Sequence, residues 1–227
     1  FQTHYDKNSI PDAVTEAVQA MSEGWTRFLL DDDDIRIFLL EHYPHYVYFF
    51  DSLEGAHRAD LARYLLLYTY GGVYLDIKTI PLQPLGSLFQ HQDKLTSSLG
   101  ELEILHGNNA IWQGVLATPP HNPFLLQLAE NGYARYVRGA SFHYFFFIED
   151  FYSAIANASE NGQVQLGHNP LKAVHGLDVW LLNESCAYGS SVRGLTCTHP
   201  DRYGVCCYIF QGDEALLLGR DPDYPWS

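Results

Sequence analysis

The sequence predicts a layered α/β domain, and three observations lead to this prediction. Stretches with the apolar periodicity of helices alternate with short apolar runs typical of strands, as in folds that pack helices against a sheet. The composition is 47% hydrophobic and only 18% charged, which excludes a disordered chain. No stretch rich in Pro, Ser or Gly divides the 227 residues, so a single domain over residues 1–227 is expected.

The charge balance excludes several classes of function. Asp and Glu number 27 against 13 Lys and Arg, and the formal net charge at pH 7 is −14. Nucleic-acid binding needs a positive surface, so no nucleic-acid partner is expected. An anionic membrane surface is disfavoured for the same reason. No apolar run reaches the roughly 18–20 residues of a membrane span, so membrane contact is expected only through a segment outside this sequence.

The N-terminal region predicts a strand and then a helix with an acidic start. Residues 1–5 look like the end of a strand that runs into a loop, and residues 12–28 have mixed helical character. Residues 31–34 are all Asp and directly precede the segment 35–40, which is apolar except for Arg36. Aspartate caps free N–H groups and suits the positive end of the helix dipole, so a helix is predicted to begin here. A calcium loop is the alternative, but the Gly and final Glu of an EF-hand are absent.

Residues 54–68 form the clearest helix of the sequence. Four side chains recur at i, i+3, i+4 and i+7 and make one apolar stripe: Leu61, Tyr64, Leu65 and Tyr68. Gly71 and Gly72 follow, as is typical where a helix ends. Residues 73–75 then predict a short buried strand that ends at Asp76.

The second half predicts further strands and helices around an aromatic run. Residues 102–105 suggest a strand, and a helix is predicted from Pro123 through Tyr136. Residues 144–147 are all aromatic and are expected in the core or in a buried interface. Residues 183–227 are expected to form a Cys-containing extension, with loops and a strand at 205–210, that packs on the rest of the domain.

All four cysteines lie in this extension, at positions that do not resemble a zinc site: Cys186, Cys197, Cys206 and Cys207. Cys206 and Cys207 are adjacent, so in a strand they point to opposite faces and are not expected to bond to each other. The oxidised interpretation pairs one of them with Cys186 and the other with Cys197. Four reduced core thiols are the alternative.

Two sequons add to the evidence on the compartment. Asn157 and Asn183 each begin an N-x-S triplet and are candidate glycosylation sites. Together with the predicted disulfides, they indicate a protein of the secretory pathway, in the Golgi lumen, or an extracellular protein.

Four charged residues are brought together by the predicted helix and strand. Asp60 and Arg63 are three positions apart on the helix and share a face. Asp76 and Lys78 lie at the C-terminal end of the strand, where α/β folds place ligands, and on an extended chain they point the same way. Two carboxylates and two cations are therefore expected in one small region.

This block resembles a known family. Residues 58–76 read RADLARYLLLYTYGGVYLD, which resembles the core of the DXD-containing sugar transferases of glycosyltransferase family 32, such as the yeast initiating α-1,6-mannosyltransferase. Residues 1–4, 25–44 and 109–123 resemble other segments of the family more loosely. The resemblance covers mainly residues 1–136.

The resemblance implies a GT-A fold with a Rossmann-like sheet that binds a nucleotide sugar. Asp60 and Arg63 would contact the sugar and the diphosphate of the donor, and Asp76 would occupy the first DXD position, near the ribose and the metal. The resemblance also implies that Gln2 and Thr3 line the nucleotide pocket. Asn109 would lie on the sugar side.

Lys78 departs from the family pattern, because it stands where the second DXD aspartate binds Mn²⁺. A divalent cation needs oxygen ligands, so replacing a carboxylate with an ammonium should weaken metal binding. In one hypothesis, Lys78 neutralises the diphosphate without a metal, and Asp76 and Lys78 are the catalytic pair. In a second, the site is inactive and the fold persists as a binding module. In a third, a metal remains on Asp76 with His106 or His168.

The predicted function is transfer of a hexose from a UDP- or GDP-hexose to a glycan or glycoconjugate acceptor, with the retention of configuration that the resemblance implies. The alternative is an inactive transferase-like module with protein partners in an extracellular or lumenal assembly. Residues 76–78 also fit the short D/E-x-K signature of metal-dependent nucleases, but the negative net charge argues against nucleic acid. No G-x-S-x-G motif supports a serine hydrolase.

Overall fold

A computed structural model describes residues 1–88, 94–100, 110–172, 178–188, 191–197 and 205–219. Its α-helices, in chain order, are α1 (Asp12–Ala20), α2 (Asp32–His42), α3 (Val47–Ser52), α4 (Ala56–Tyr70), α5 (Leu85–Leu88), α6 (Pro123–Val137) and α7 (Phe146–Ala158). Its strands are β1 (Gln2–Thr3), β2 (Leu29–Leu30), β3 (Gly72–Leu75), β4 (Ile80–Pro81), β5 (Leu95–Gly100), β6 (Ala110–Thr118), β7 (Gly167–Asn169), β8 (Val179–Tyr188), β9 (Ser191–Val192), β10 (Leu195–Thr196), β11 (Val205–Gln211) and β12 (Glu214–Leu218).

A mixed sheet organises the fold. Among the described residues it has eight strands in the order β3-β6-β5-β8-β11-β12-β4, with β7 paired to β8. Strands β5 and β8 are parallel, whereas β3 and β6 are antiparallel. The short parallel pair of β1 and β2 lies beside β3, because Leu75 donates its backbone N–H to the carbonyl of Phe1 at 3.0 Å.

The sheet is curled, so that its two ends meet. Strands β3 and β4 stand at opposite ends of the strand order, yet only residues 76–79 separate them in the sequence. The segment 76–79 therefore joins the two ends of the sheet. This mixed α/β architecture with a curled central sheet confirms the predicted fold class and is consistent with a GT-A-like fold.

Helix α4 lies in the core and positions the candidate site. Every residue from Asp60 to Leu67 is buried, so the helix is enclosed on all sides and is more deeply buried than the predicted single stripe required. It ends at Gly71, as predicted, where φ is 65°. A Cβ at this position would lie 2.5 Å from the backbone nitrogen of Pro120, so glycine is required for both its dihedral angle and the close approach.

The acidic run has the capping role that the sequence predicted. The side chain of Asp31 accepts from the backbone N–H of Asp34, and Asp34 accepts from the backbone N–H of Asp31, which makes a reciprocal capping box at the start of α2. Lys7 lies 3.2 Å from Asp31 and 2.5 Å from Asp34. The run thus starts a helix, and its charge is partly balanced by a nearby lysine.

The C-terminal part shares the main sheet. Asn183, where the Cys-containing extension was expected to begin, lies within β8, and the predicted strand at 205–210 is β11. Asn183 is half-buried and its side-chain amide contacts Arg193, whereas Asn157 is exposed near the end of α7. The strand predicted at 102–105 lies outside the described residues.

The aromatic run is not uniformly buried. Phe147 is in the core, but the ring of Tyr144 is 75% exposed. The predicted burial is therefore wrong for Tyr144, which lies in the turn just before α7 and so is not held against the core. Within the described residues, no helix combines the length and the apolar character needed to cross a membrane.

Two disulfides join the C-terminal strands, as the oxidised interpretation predicted. Cys207 bonds to Cys186 and the adjacent Cys206 bonds to Cys197. Cys206 and Cys207 are on opposite faces of β11, so their two disulfides form on different sides of the strand. The Cys186–Cys207 bond links β11 directly to its sheet neighbour β8.

We expect the longer-range disulfide to contribute more stability. Its cysteines are 21 residues apart, against 9 for Cys197 and Cys206, and the longer loop restricts the unfolded chain more. Replacing Cys186 and Cys207 together with Ala should lower the free energy of unfolding by about 3 kcal/mol. The same change at Cys197 and Cys206 should cost about 2.5 kcal/mol. Urea denaturation of the two double variants measures the difference, and an equal or reversed order would contradict the argument.

Candidate functional site

The segment that joins the two ends of the sheet carries Asp76 and Lys78. The backbone N–H of Asp76 donates to the carbonyl of Gly114 on β6 at 2.8 Å, and that of Thr79 donates back to the carbonyl of Asp76 at 2.9 Å. This geometry is a turn and not the extended chain that the sequence predicted. The turn still brings Nζ of Lys78 within 3.8 Å of Oδ2 of Asp76, so the predicted proximity of the two charges is confirmed.

Arg63 connects the helix to this turn. One guanidinium nitrogen, Nη2, lies 3.3 Å from Oδ1 of Asp60 and 3.2 Å from Oδ1 of Asp76. Nη1 donates to the carbonyl of Gln113 at 2.6 Å, and Nε donates to the carbonyl of Ala59 at 3.1 Å. All three nitrogens are therefore used inside the protein, and the side chain is only 5% exposed.

Tyr74 completes the environment of Asp76, and sequence reasoning missed it. The guanidinium of Arg63 lies over the ring of Tyr74, 4.5 Å from its centroid. The hydroxyl of Tyr74 is 3.3 Å from Oδ1 of Asp76 and 2.8 Å from the hydroxyl of Thr3. Burial raises the pKa of Tyr74, so the phenol stays protonated and donates to the carboxylate. The alternation of side chains in β3 was an available signal, because Tyr74 and Asp76 are two positions apart.

Arg63 remains positively charged although its side chain is buried. Desolvation acts to lower its pKa, but the neighbouring Tyr74 and the carboxylates of Asp76 and Asp60 raise it above the usual value for arginine. The guanidinium is therefore a permanent cation held between two carboxylates. Its role in the described geometry is to fix Asp76.

Asp60 lies behind Arg63. It is 8% exposed and does not line the cleft described below, unlike Arg63. Its second oxygen, Oδ2, is 3.3 Å from Nδ1 of His57, one turn earlier on α4. The i,i+3 spacing of His57 and Asp60 was readable from the sequence, but the histidine was not singled out.

A cleft of about 560 Å³ opens above these residues. Its charged lining consists of Asp32, Arg58, Arg63, Asp76 and Lys78. Arg58 is held 2.6 Å from Asp32 of α2, so the cleft has a cation on each of two walls, from the helix α4 and from the turn after β3. The remaining polar and aromatic lining includes Thr3, His4, Tyr5 and Tyr144.

Of the two β1 residues expected at a nucleotide pocket, only Thr3 lines this cleft. Gln2 points to the other side of the strand, because adjacent residues alternate, and it is 2% exposed. Its side chain accepts from Nε of Arg27 at 2.7 Å and donates to the carbonyl of Asp76 at 3.4 Å. It lines a second, mainly apolar cavity of about 580 Å³ instead. Asn109 and His106 lie outside the described residues.

Among the described residues, the atoms around Asp76 do not offer a ligand set that fits a divalent metal. Oδ1 contacts Arg63 and Tyr74, Oδ2 faces the ammonium of Lys78, and an ammonium offers no lone pair. His168, the alternative ligand, instead contacts a carboxylate oxygen of Asp178 through its Nε2. Throughout the described ranges, the one group of three potential ligands is Glu184 with Cys186 and Cys207, and those cysteines are joined in a disulfide.

Comparisons with known proteins match the part of the chain that builds this site. Residues 10–96 match the family model described as the glycosyltransferase sugar-binding region containing DXD motif. The chain is 36% identical over 109 residues to inositol phosphoceramide mannosyltransferase 1 of Schizosaccharomyces pombe, a match that covers 48% of this chain and 32% of the relative. It is 30% identical over 130 residues to inositol phosphoceramide mannosyltransferase 3 of the same organism. This match covers 55% of this chain and 34% of the relative.

The chain thus spans about a third of the length of these curated relatives. The matched region contains α4, β3 and the turn with Asp76 and Lys78, which supply most of the cleft lining, whereas Thr3, His4, Tyr5 and Tyr144 lie outside it. Residues 58–76, whose sequence resembles the core of the DXD-containing transferases, lie entirely inside it. The resemblance of this chain to the DXD-containing sugar transferases of glycosyltransferase family 32 is confirmed.

Proposed function

We propose that the chain is the donor-binding domain of a glycosyltransferase, which moves a hexose from a UDP- or GDP-hexose to a glycan or glycoconjugate acceptor. One observation carries the proposal: in a chain of net charge −14, a cleft of about 560 Å³ is lined by three cations, Arg58, Arg63 and Lys78, against two carboxylates, Asp32 and Asp76. This volume suits a small ligand, and clustered cations suit a diphosphate. The mannosyltransferase relatives make GDP-mannose the first donor to test.

The roles of the residues follow from the charge that develops during transfer. When the bond between the anomeric carbon and the diphosphate oxygen breaks, negative charge accumulates on the leaving group. Lys78 is proposed to bind this charge, and Asp76 orients its ammonium from 3.8 Å away. Arg63 fixes Asp76 in turn. Because the atoms around Asp76 do not fit a divalent metal, no step of the proposed mechanism uses Mn²⁺. Retention of configuration is what the family resemblance implies.

The domain organisation and the compartment are part of the same proposal. Strands β8, β11 and β12 share one sheet with β3 and β6, which supports residues 1–227 acting as a single domain. The two disulfides are compatible with an oxidising environment, so we propose the Golgi lumen or the extracellular space. Asp76-Ile77-Lys78 is proposed to occupy the place of the DXD motif.

An inactive transferase-like module is the alternative. Such a module would be free to fill its cleft with its own aromatic side chains, because it would need no room for a donor. The cleft retains its volume and its cations, and this supports the enzyme.

Calorimetric titration of the folded chain with GDP-mannose, UDP-glucose and UDP-galactose, each in Mn²⁺ and in EDTA, tests the proposed function. We expect one donor to bind in both conditions and to release nucleoside diphosphate when sugar acceptors are added. Binding without turnover on any acceptor would support the inactive module. Absence of binding by demonstrably folded protein would overturn the donor site.

A further inference from the structure

We propose that Tyr144 is a stacking platform for the acceptor, specifically for a six-membered polyhydroxylated ring such as a pyranose or a cyclitol. The inference rests on the proposed transferase function and adds an acceptor subsite to it. Tyr144 lines the same cleft as Asp76 and Lys78, and its ring is 75% exposed. An isolated exposed tyrosine is unremarkable, so the argument depends on how this one is held and where it lies.

The segment around Tyr144 is anchored by its neighbours. Phe142 stacks on the buried Phe147, with ring centroids 5.9 Å apart and an angle of 8° between the planes. Nε of Arg135 donates to the carbonyl of Ser141 at 2.8 Å, which ties the segment to α6. The backbone that carries the exposed ring is therefore anchored, so a ligand bound to the ring would not have to order a loop.

On the far side of Tyr144, the chain is fixed as well. The backbone N–H of Phe146 donates to the carbonyl of His143 at 3.0 Å, which closes a turn around Tyr144. The guanidinium of Arg135 lies 4.9 Å from the centre of the Phe146 ring. Tyr144 is thus the exposed member of an otherwise packed aromatic group.

The position of the ring places it on the Asp60 side of the site. The centroids of Tyr144 and His57 are 6.5 Å apart, and Nδ1 of His57 is 3.3 Å from Asp60. Asp60 contacts Arg63, which in turn contacts Asp76. Tyr144 therefore contacts Asp60 through His57, and it shares the cleft with Asp76 and Lys78, so that an acceptor on its ring would lie in the same cleft as the donor.

The chemistry of the ring favours a sugar over a phosphate. The face of an aromatic ring carries partial negative charge and attracts the positive C–H edges on one face of a pyranose or cyclitol. That face does not attract an anion, whose only hydrogen-bond donor on the side chain would be the hydroxyl at the edge of the ring. A second aromatic pair in the cleft, His4 and Tyr5, follows β1 beside Thr3 and has ring centroids 4.3 Å apart. We assign the nucleobase to that pair, which leaves Tyr144 for the acceptor.

Saturation-transfer NMR on the full chain tests the subsite, with methyl α-D-mannopyranoside and myo-inositol as separate probes, each with and without GDP-mannose. We expect the C–H protons of at least one ring to receive saturation from the wild-type protein. Tyr144→Ala should weaken that binding about three- to tenfold, and Tyr144→Phe should retain it because the ring face remains. Tyr48→Ala is the matched control, since Tyr48 in α3 is 78% exposed and is not part of the cleft lining.

Each outcome decides the inference. Failure of both rings to bind the wild-type protein, or equal binding by Tyr144→Ala, would overturn it. If Tyr144→Ala lost as much affinity for GDP-mannose as for the ring probes, Tyr144 would belong to the donor site. That result would also overturn the inference. Tyr144-dependent ring binding without any nucleotide-sugar binding would support the platform and contradict the proposed transferase. The probe that binds in a Tyr144-dependent way, methyl mannoside or inositol, shows whether the acceptor ring is a pyranose or a cyclitol.

Discussion

Replacement of Lys78 by Ala is expected to weaken nucleotide-sugar binding in EDTA by about ten- to hundredfold, the loss typical of removing a charged hydrogen-bond partner. Lys78 lines the cleft within 3.8 Å of Asp76, and we propose that it stands where the DXD pattern has a metal-binding carboxylate. Without its ammonium, the diphosphate would face Asp76 with less opposing charge. Calorimetry of the donor that binds the wild-type protein measures the change.

Lys94→Ala is the matched control for this prediction. Lys94 is also a partly buried lysine paired with an aspartate, at 3.7 Å from Asp178, but it is not part of the cleft lining. Its removal should leave donor affinity unchanged. Wild-type affinity in Lys78→Ala, or binding by the wild-type protein only when Mn²⁺ is present, would contradict the assignment of Lys78.

Lys78→Asp provides a sharper test of the same residue. The change supplies a second carboxylate beside Asp76, and divalent cations bind where oxygen ligands converge. We expect donor binding to be lost in EDTA and recovered in Mn²⁺, so that the variant shows a metal dependence that we do not expect of the wild-type protein. Equal binding in both conditions would show that position 78 does not contact the diphosphate.

The elements that carry the site were predictable from local sequence. Helix α4 has a strong apolar pattern, and Gly71 stops it through a dihedral angle that other residues rarely adopt. The strand that follows is short and apolar, so the turn with Asp76 could be located within a few residues. The capping role of Asp31 was predictable for the same reason, because a cap depends on only a few neighbouring positions.

The curled sheet was not predictable in the same way. Its closure depends on β4 pairing with β12, whose residues are more than a hundred positions away along the chain. No local pattern encodes such a pairing. This is also why the sequence predicts an extended chain at residues 76–79: their turn is imposed by the sheet ends that they connect.

The roles of individual site residues were even harder to predict from the sequence. The sequence placed Asp60 and Arg63 together but could not show that Asp60 lies behind Arg63 rather than beside it in the cleft. Gln2 and Thr3 are equivalent in the sequence pattern, whereas the alternation of β1 puts them on opposite sides. Whether a side chain reaches a cleft depends on packing from distant elements.

Replacement of the buried Arg63 by Met should lower the free energy of unfolding by about 3–5 kcal/mol. The guanidinium contacts the carboxylates of both Asp60 and Asp76 and satisfies the carbonyl of Gln113. Methionine fills similar space but leaves two carboxylates without their shared cation. Arg63→Lys should also be destabilising, because one ammonium cannot reproduce the three nitrogen positions of the fork. Urea denaturation measures each change.

A combined variant separates the effect of charge from the effect of packing. When Arg63→Met is joined to Asp60→Asn and Asp76→Asn, neither buried carboxylate is left without its cation, and only the partly exposed Lys78 loses a carboxylate neighbour, so most of the lost stability should return. Arg36 and Asp51 form an exposed pair at 3.2 Å, and Arg36→Ala should barely move the unfolding midpoint because solvent screens that pair. If the triple variant were no more stable than Arg63→Met alone, packing and not charge would explain the loss. The guanidinium would then be a filler of the core and not the cation that fixes Asp76.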